Sequence, residues 1–223
     1  MAVARAALEI LLRDRKLDGT LTSARLWVAD PEDRVAPTGV PAIDGPLRGG
    51  LRRGHLSEIV GARSTGRTSL VCQVFAAATA RGEVVALVDA SDRFDPAAAA
   101  EAGVDLSRLL WIRDRGDAAR ALKAVNLVIQ AGGFGIVAFD LADVPAMAVR
   151  QFPYTTWMRL SRVIEGSQTT LLLVGADRIA RSSGGATIAL ADARGARGKW
   201  AGTTDRARYL AGLDIQPRVV ALR

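Results

Sequence analysis

From residue 56 to residue 174 the chain alternates two textures. Short continuous apolar runs give way to longer stretches in which apolar side chains recur every third or fourth position. The short runs are Leu56–Val60, Val84–Val88, Leu109–Ile112, Ile136–Phe139 and Thr170–Val174. Apolar runs of this length, bounded by turn residues, suit strands buried on both faces. The stretches between them read as helices. Residues 69–81 place Val71, Val74, Phe75 and Ala78 on one side, and residues 96–102 are rich in alanine. Residues 117–131 turn Ala118, Ala121, Leu122, Val125, Val128 and Ile129 inward, and residues 154–166 carry Trp157, Leu160 and Ile164 in register. Strand and helix in alternation predict an α/β fold: a mostly parallel sheet flanked by helices on both faces.

The texture changes after Gly175. Apolar and polar residues alternate, glycines are frequent, and Thr187–Leu190 and Val219–Leu222 read as strands. They are expected to form an antiparallel C-terminal edge on the sheet. Ahead of the alternating region, residues 2–17 read as an amphipathic helix with Ala4, Leu8, Leu11 and Leu12 on one face, and Leu26-Trp27-Val28 as a short strand. We therefore divide the chain into an arm, residues 1–36, and a core, residues 37–223. Leu8, Leu11, Leu12 and Trp27 are the arm's candidates for a partner or oligomer contact. Packing on its own core is the plainer alternative.

The strongest chemical signal lies between the first buried run and the first long helix. Gly61-Ala62-Arg63-Ser64-Thr65-Gly66-Arg67-Thr68-Ser69 has the spacing of a phosphate-binding P-loop, with Arg67 where the lysine belongs. A strand, a glycine loop and a helix N-terminus together present backbone N–H groups to a phosphate. Gly61, Gly66, Arg67, Thr68 and Ser69 are thus candidate nucleotide-binding residues. Thr68 and Asp140, at the end of the fourth buried run, are candidate Mg²⁺ ligands should a nucleotide bind. A glycine turn kept for packing alone is the alternative.

Charge and composition narrow the classes. The net charge is +7 and the pI about 10.6. That balance fits nucleic acid or an acidic protein partner, although an Arg- and Ala-rich coding bias also produces it. Cationic residues crowd the glycine-rich C-terminal third: Arg178, Arg181, Arg194, Arg197 and Lys199 are candidate DNA contacts, with Arg206 and Arg208 nearby. Trp200 reads either as a base-stacking ring or as a partial core residue. Cys72 is the only cysteine and sits in an apolar helical run, so an internal disulfide is excluded. His55 has no second ligand or nucleophile beside it. No apolar run reaches membrane-spanning length, and the N-terminal residues show no cleavable-signal pattern. A cytoplasmic protein, nucleoid-associated if it binds DNA, is expected.

The ordered pieces resemble the RecA recombinase core over roughly residues 37–190. Thr38-Gly39-Val40-Pro41-Ala42-Ile43-Asp44 is similar to that family's segment before the P-loop. Gly50-Leu51 and Gly54-His55-Leu56-Ser57-Glu58-Ile59-Val60-Gly61 are similar to its first core strand. Val88-Asp89-Ala90 with Asp95-Pro96, then Gly103-Val104-Asp105 with Leu109-Leu110, are similar to its second strand and the segment after it. Ile136–Asp140 is similar to the Walker B strand. In size, arm and altered motifs the chain most resembles ImuA-type proteins, RecA/SulA-like accessory factors of mutagenic translesion synthesis in the SOS response to DNA damage. The resemblance implies as partners an ImuB-type Y-family polymerase homologue, RecA itself and single-stranded DNA, with a homo-oligomer open and no membrane.

The resemblance also says which parts of an ATPase are missing. The family's catalytic glutamate falls at Ser91, its adenine-stacking tyrosine at Ala98, and its switch residues at Gly175-Ala176-Asp177, while Asp140 retains the Walker B acid. Arg is larger and planar where Lys is a compact point charge, and serine without a base of its own is no general base. The expectation is a non-catalytic adaptor in DNA-damage tolerance that needs no cofactor. The alternatives are a DNA-dependent ATPase using ATP and Mg²⁺ through an altered loop, or a SulA-like division inhibitor. Removing residues 1–20 is expected to weaken partner or self-association while the core stays folded. Unchanged association in ultracentrifugation and pull-down would contradict a contact role for the arm.

Overall fold

The structure is a computed structural model, and it describes residues 34–180, 184–190, 197–204 and 206–222. The arm residues Leu8, Leu11, Leu12 and Trp27 and the candidates Arg181 and Arg194 lie outside these residues.

Ahead of the sheet, β1 (Val35–Ala36) pairs antiparallel with β2 (Leu51–Arg52), and α1 (Pro41–Asp44) lies between them in sequence. The Asp44 carboxylate closes this segment. Its Oδ1 accepts from Thr38 N at 2.9 Å and Thr38 Oγ1 at 2.7 Å, and its Oδ2 from Gly39 N at 3.0 Å. Gly50, at φ 145, passes so close to the Ala36 carbonyl that a side chain there would collide with it.

The main elements then alternate: β3 (Leu56–Val60), α2 (Arg67–Ala80), β4 (Val85–Asp89), α3 (Pro96–Glu101), β5 (Leu109–Arg113), α4 (Ala118–Ala131), β6 (Ile136–Asp140), α5 (Ala146–Arg150), α6 (Tyr154–Ile164), β7 (Thr170–Gly175) and β8 (Ala186–Leu190). A ribbon, β9 (Arg197–Ala201) with β10 (Tyr209–Asp214), precedes β11 (Pro217–Leu222). The seven-stranded sheet has the order β11-β8-β3-β7-β6-β4-β5. Its neighbours are parallel from β8 to β5, and β11 closes the edge antiparallel to β8. The α/β sheet and the antiparallel edge are as the sequence pattern predicted.

Side-chain alternation along the strands splits the core in two. Ile59, Leu87, Ile136, Ala138, Leu172 and Val174 pack with Ile43 of α1, Leu70, Val74 and Phe75 of α2 and Ala99 of α3. Leu56, Val88, Val137, Phe139, Leu171 and Leu173 pack with Val125, Val128 and Ile129 of α4 and Trp157, Leu160 and Ile164 of α6. Cys72 is buried in the first of these layers. α2 begins two residues ahead of the apolar run, because Gly66 adopts the left-handed conformation that starts it. The β9–β10 ribbon has no counterpart in the pattern-based assignment, since β9, Arg-Gly-Lys-Trp-Ala, carries too few apolar side chains to mark a strand.

One buried side chain on β3 is charged. Glu58 faces the segment after β7, where its Oε1 accepts from Ile179 N at 2.8 Å and Ala180 N at 2.6 Å. Burial pushes its carboxyl up, against the pull of those two N–H groups, Arg178 and Thr187. Glu58→Ala would leave two N–H groups without their partner and is expected to cost about 2–3 kcal/mol. Glu58→Gln keeps an acceptor and is expected to stay within about 1 kcal/mol of the parent. Urea unfolding at neutral pH distinguishes them, and equal losses in both variants would show that the charge, not the acceptor, matters.

Candidate nucleotide site and basic ribbon

The loop between β3 and α2 uses two left-handed backbone positions, Ser64 at φ 61 and Gly66 at φ 93. Ser64 tolerates this at some cost; Gly66 does so freely. Because Gly66 is also the N-cap, no side chain caps α2, and the positive end of the helix is left without a side-chain acceptor. Thr65 is buried and donates its Oγ1 to Ala62 O at 2.8 Å, which stiffens the loop. At Gly61 a Cβ would come within 2.6 Å of Thr65 Oγ1 and 3.0 Å of Leu190 Cβ, so this position also needs glycine. The shape of a phosphate cradle is therefore present.

Two side chains of the same protein occupy its surroundings. Arg67 is buried, and its Nη1 donates to Gly61 O at 3.0 Å and reaches Ala142 O, beyond β6, at 3.5 Å. Ile215, between β10 and β11, lies against Gly66 so closely that any side chain there would collide with its Cγ2. The opening that a glycine leaves for close approach is filled by an isoleucine. Thr68 is exposed on the first turn of α2 and Ser69 is half-buried beside it.

Asp140 ends β6, in register with Asp89 at the end of β4. Its Oδ1 accepts from Ala142 N at 2.8 Å. Burial pushes its pKa up to about 6; Asp89 and Asp143 add to the rise, while the Ala142 N–H and the Arg67 guanidinium oppose it. Gly61, Gly66, Arg67 and Asp140 are thus brought to one place, with Thr68 and Ser69 on the adjoining helix turn.

The loop after β4 is shaped by Asp89. Its Oδ1 accepts from Ser91 N at 3.2 Å, and its Oδ2 from Arg93 N and Phe94 N, both at 2.8 Å. This carboxylate is spent on folding its own loop. Asp92, next to Ser91, takes φ 54 and binds Arg113 with both oxygens, at 2.7 and 3.0 Å. That guanidinium holds the Asp92 carboxyl below the usual carboxylate range. So the acid adjacent to Ser91 is committed to β5. Ala98 is exposed on α3 and brings no ring.

The cationic candidates fall in two places. Arg178 is exposed just after β7, on the segment Glu58 holds. Arg197 and Lys199 are exposed on β9. Trp200 is no core residue: it is 57 % exposed, and the Arg208 guanidinium lies 5.3 Å from the centre of its ring. Tyr209, which carries no motif in the sequence, is 63 % exposed. His55 has a structural setting, with Nδ1 2.9 Å from Arg53 O and its ring against Gly184. Ile215 is likewise invisible to sequence reasoning, because nothing local to it signals a contact with a loop so far away. Among the described residues no group of three or more His, Cys, Asp and Glu side chains is placed to hold a metal ion, and no helix is long and apolar enough to cross a membrane.

Known proteins share this core. The family profile of the RecA N-terminal domain matches residues 28–151. Protein RecA of Methylococcus capsulatus is 41% identical over 108 residues, which is 48% of this chain and 30% of that protein. Protein RecA of Bifidobacterium longum is 35% identical over 140 residues, 61% of this chain and 35% of that protein. The chain thus spans about a third of the length of these relatives. Among solved structures, the RadB recombinase crystal structure has a similar fold, with a TM-score of 0.55 at 15% identity, covering 71% of this chain and 83% of that one.

The raised Asp140 pKa has a consequence for stability. The folded chain binds this proton more tightly than the unfolded chain. Its contribution to folding is therefore full below the ordinary carboxylate range and is lost as pH rises through about 6. Asp140→Asn keeps the Oδ1 acceptor and removes the charge. Relative to the parent, the variant is expected to gain about 1.4 kcal/mol of stability on going from pH 5 to pH 8, the part of the linkage that lies in that window. Thermal unfolding at the two pH values reads this, and a difference that does not change with pH would contradict it.

Proposed function

The chain belongs to the RecA N-terminal domain family, and on that footing we propose that it is a non-catalytic RecA-like accessory protein of DNA-damage tolerance. In this reading it serves mutagenic translesion synthesis as an adaptor. Its partners are a Y-family-polymerase-like protein of the ImuB type, RecA and DNA, with no cofactor required.

The observation that carries the reading is the self-occupied phosphate loop. Phosphoryl transfer depends on placing a triphosphate against loop N–H groups, a positively charged side chain and Mg²⁺. Here the charged side chain, Arg67, is turned onto Gly61 O and Ala142 O, and Ile215 covers Gly66. A phosphate needs the same close approach to Gly66 that Ile215 makes. Both contacts oppose a nucleotide in the loop as it stands. Ser91 adds to this: it stands where the resemblance places the general base, and its neighbour Asp92 is bound to Arg113.

A second reading, a DNA-dependent ATPase, is favoured by the uncapped start of α2 and the retained Thr68 and Asp140. The two separate experimentally. Purified protein is expected to show no ATP turnover above background, with or without single-stranded DNA. A fluorescent ATP analogue is expected to bind an Ile215→Gly, Arg67→Lys double variant at least tenfold more tightly than the parent. DNA-stimulated hydrolysis by the parent, abolished in Thr68→Ala or Asp140→Ala, would overturn the adaptor reading. Co-purification with the polymerase-like partner and with RecA tests the partners directly.

A further inference from the structure

A cavity of about 470 Å³ opens beside the carboxyl ends of β6 and β7. Its first wall is the turn after β6 and the start of α5, with Leu141, Val144 and Val149. Phe152 and Trp157 form the second, and Ile179, on the segment after β7, the third. All six of these side chains are apolar.

The walls are fixed by contacts within the chain. Phe152 packs edge-on against Trp157, with 5.8 Å between ring centres. Leu141 N donates to Val174 O at 2.9 Å, and Val144 N to Leu141 O at 3.1 Å. Ile179 lies across Gly175, where any side chain would collide with its Cδ1. The buried Glu58 carboxylate holds the backbone N–H groups of Ile179 and Ala180, so one charged group on β3 pins the third wall. A cavity shaped in advance loses little conformational freedom when it is filled.

The rim is cationic. Arg150 of α5 and Arg178 after β7 line the cavity and are exposed. Among the described residues neither forms an ion pair. Asp177 is the one carboxylate that lines it among the described residues.

We propose that this cavity docks an acidic segment of a partner protein, with one large apolar side chain inserted between Val149, Phe152 and Ile179 and flanking carboxylates on Arg150 and Arg178. The proposal rests on the reading of the chain as an adaptor and places one of its contacts. A desolvated apolar anchor inside a charged rim is how a few residues dominate a protein–protein contact. A small polar ligand would need polar groups converging from the floor, and the floor side chains offer none. A nucleic-acid base needs an open ring face to stack on, whereas Trp157 is only 3 % exposed.

The test is fluorescence anisotropy of short labelled peptides titrated with the full chain. A central Leu, Phe or Ala is flanked by Asp and Glu, or a central Leu by Lys and Gln. The acidic Leu and Phe peptides are expected to bind, and the Ala peptide to bind at least about tenfold more weakly. The Arg150→Glu, Arg178→Glu double variant is expected to lose binding while keeping its far-UV circular dichroism, and Arg159→Glu, elsewhere on α6, to leave binding unchanged. Val149→Asp, which puts a carboxylate into the cavity, is expected to abolish it. Equal binding of the Leu and Ala peptides, of the acidic and basic Leu peptides, or of the parent and the Arg double variant would overturn the proposal. So would displacement of the Leu peptide by oligo-dT as effective as by unlabelled peptide, or no binding of any peptide at millimolar concentration. DNA-dependent ATP turnover would overturn the non-catalytic reading and leave peptide binding standing. Absent peptide binding with co-purification of the partners intact would remove this site and leave the adaptor reading.

Discussion

Apolar burial of the parallel sheet on both faces governs where chemistry can sit in this protein. Phe75, Phe139, Ile59, Leu87 and Leu171 are all fully or nearly fully buried, and they belong to two layers separated by the sheet itself. Burying a side chain of this size contributes roughly 1.5–3 kcal/mol, and polar groups placed among them would need partners. Charged groups are therefore driven to the carboxyl ends of the strands, where Asp89, Asp140 and the loop after Val60 gather. Glu58 is an exception consistent with this constraint: it is buried on a strand, and its oxygen is matched to two backbone N–H groups.

At that edge the same kinds of residue divide between architecture and chemistry. Asp89 is consumed by three N–H groups of its own loop, and Asp92 by Arg113. Asp114 is held by Arg120 at 2.7 and 3.0 Å. Asp140 is left with one N–H donor in a desolvated setting beside Asp89, and its proton affinity rises. A strand end rich in acids is thus mostly a set of turns and caps.

The phosphate loop keeps its backbone and changes its neighbours. A lysine at position 67 would carry a compact ammonium on a flexible stem, whereas the larger, planar guanidinium here directs its Nη1 at backbone carbonyls. Two carbonyls, those of Gly61 and Ala142, lie within its reach, and the side chain settles on them in a buried site. Ile215 adds apolar cover and anchors the root of the β9–β10 ribbon on the loop. The cradle and the basic ribbon are consequently joined through one residue.

Local residue pattern was enough to read the alternation of strand and helix, the inward faces of α4 and α6, the glycine loop and the antiparallel edge. These features come from the side-chain period and from glycine's backbone freedom, which act over a few residues at a time. The changes at Arg67, Ser91 and Ala98 are equally legible, because each is an identity at a fixed spacing. Which acids are spent on turns and ion pairs was not legible, nor was the exposure of Trp200, nor the seat of Ile215 on Gly66. Those outcomes depend on which distant segments the sheet order brings together, a long-range packing that local periodicity does not encode.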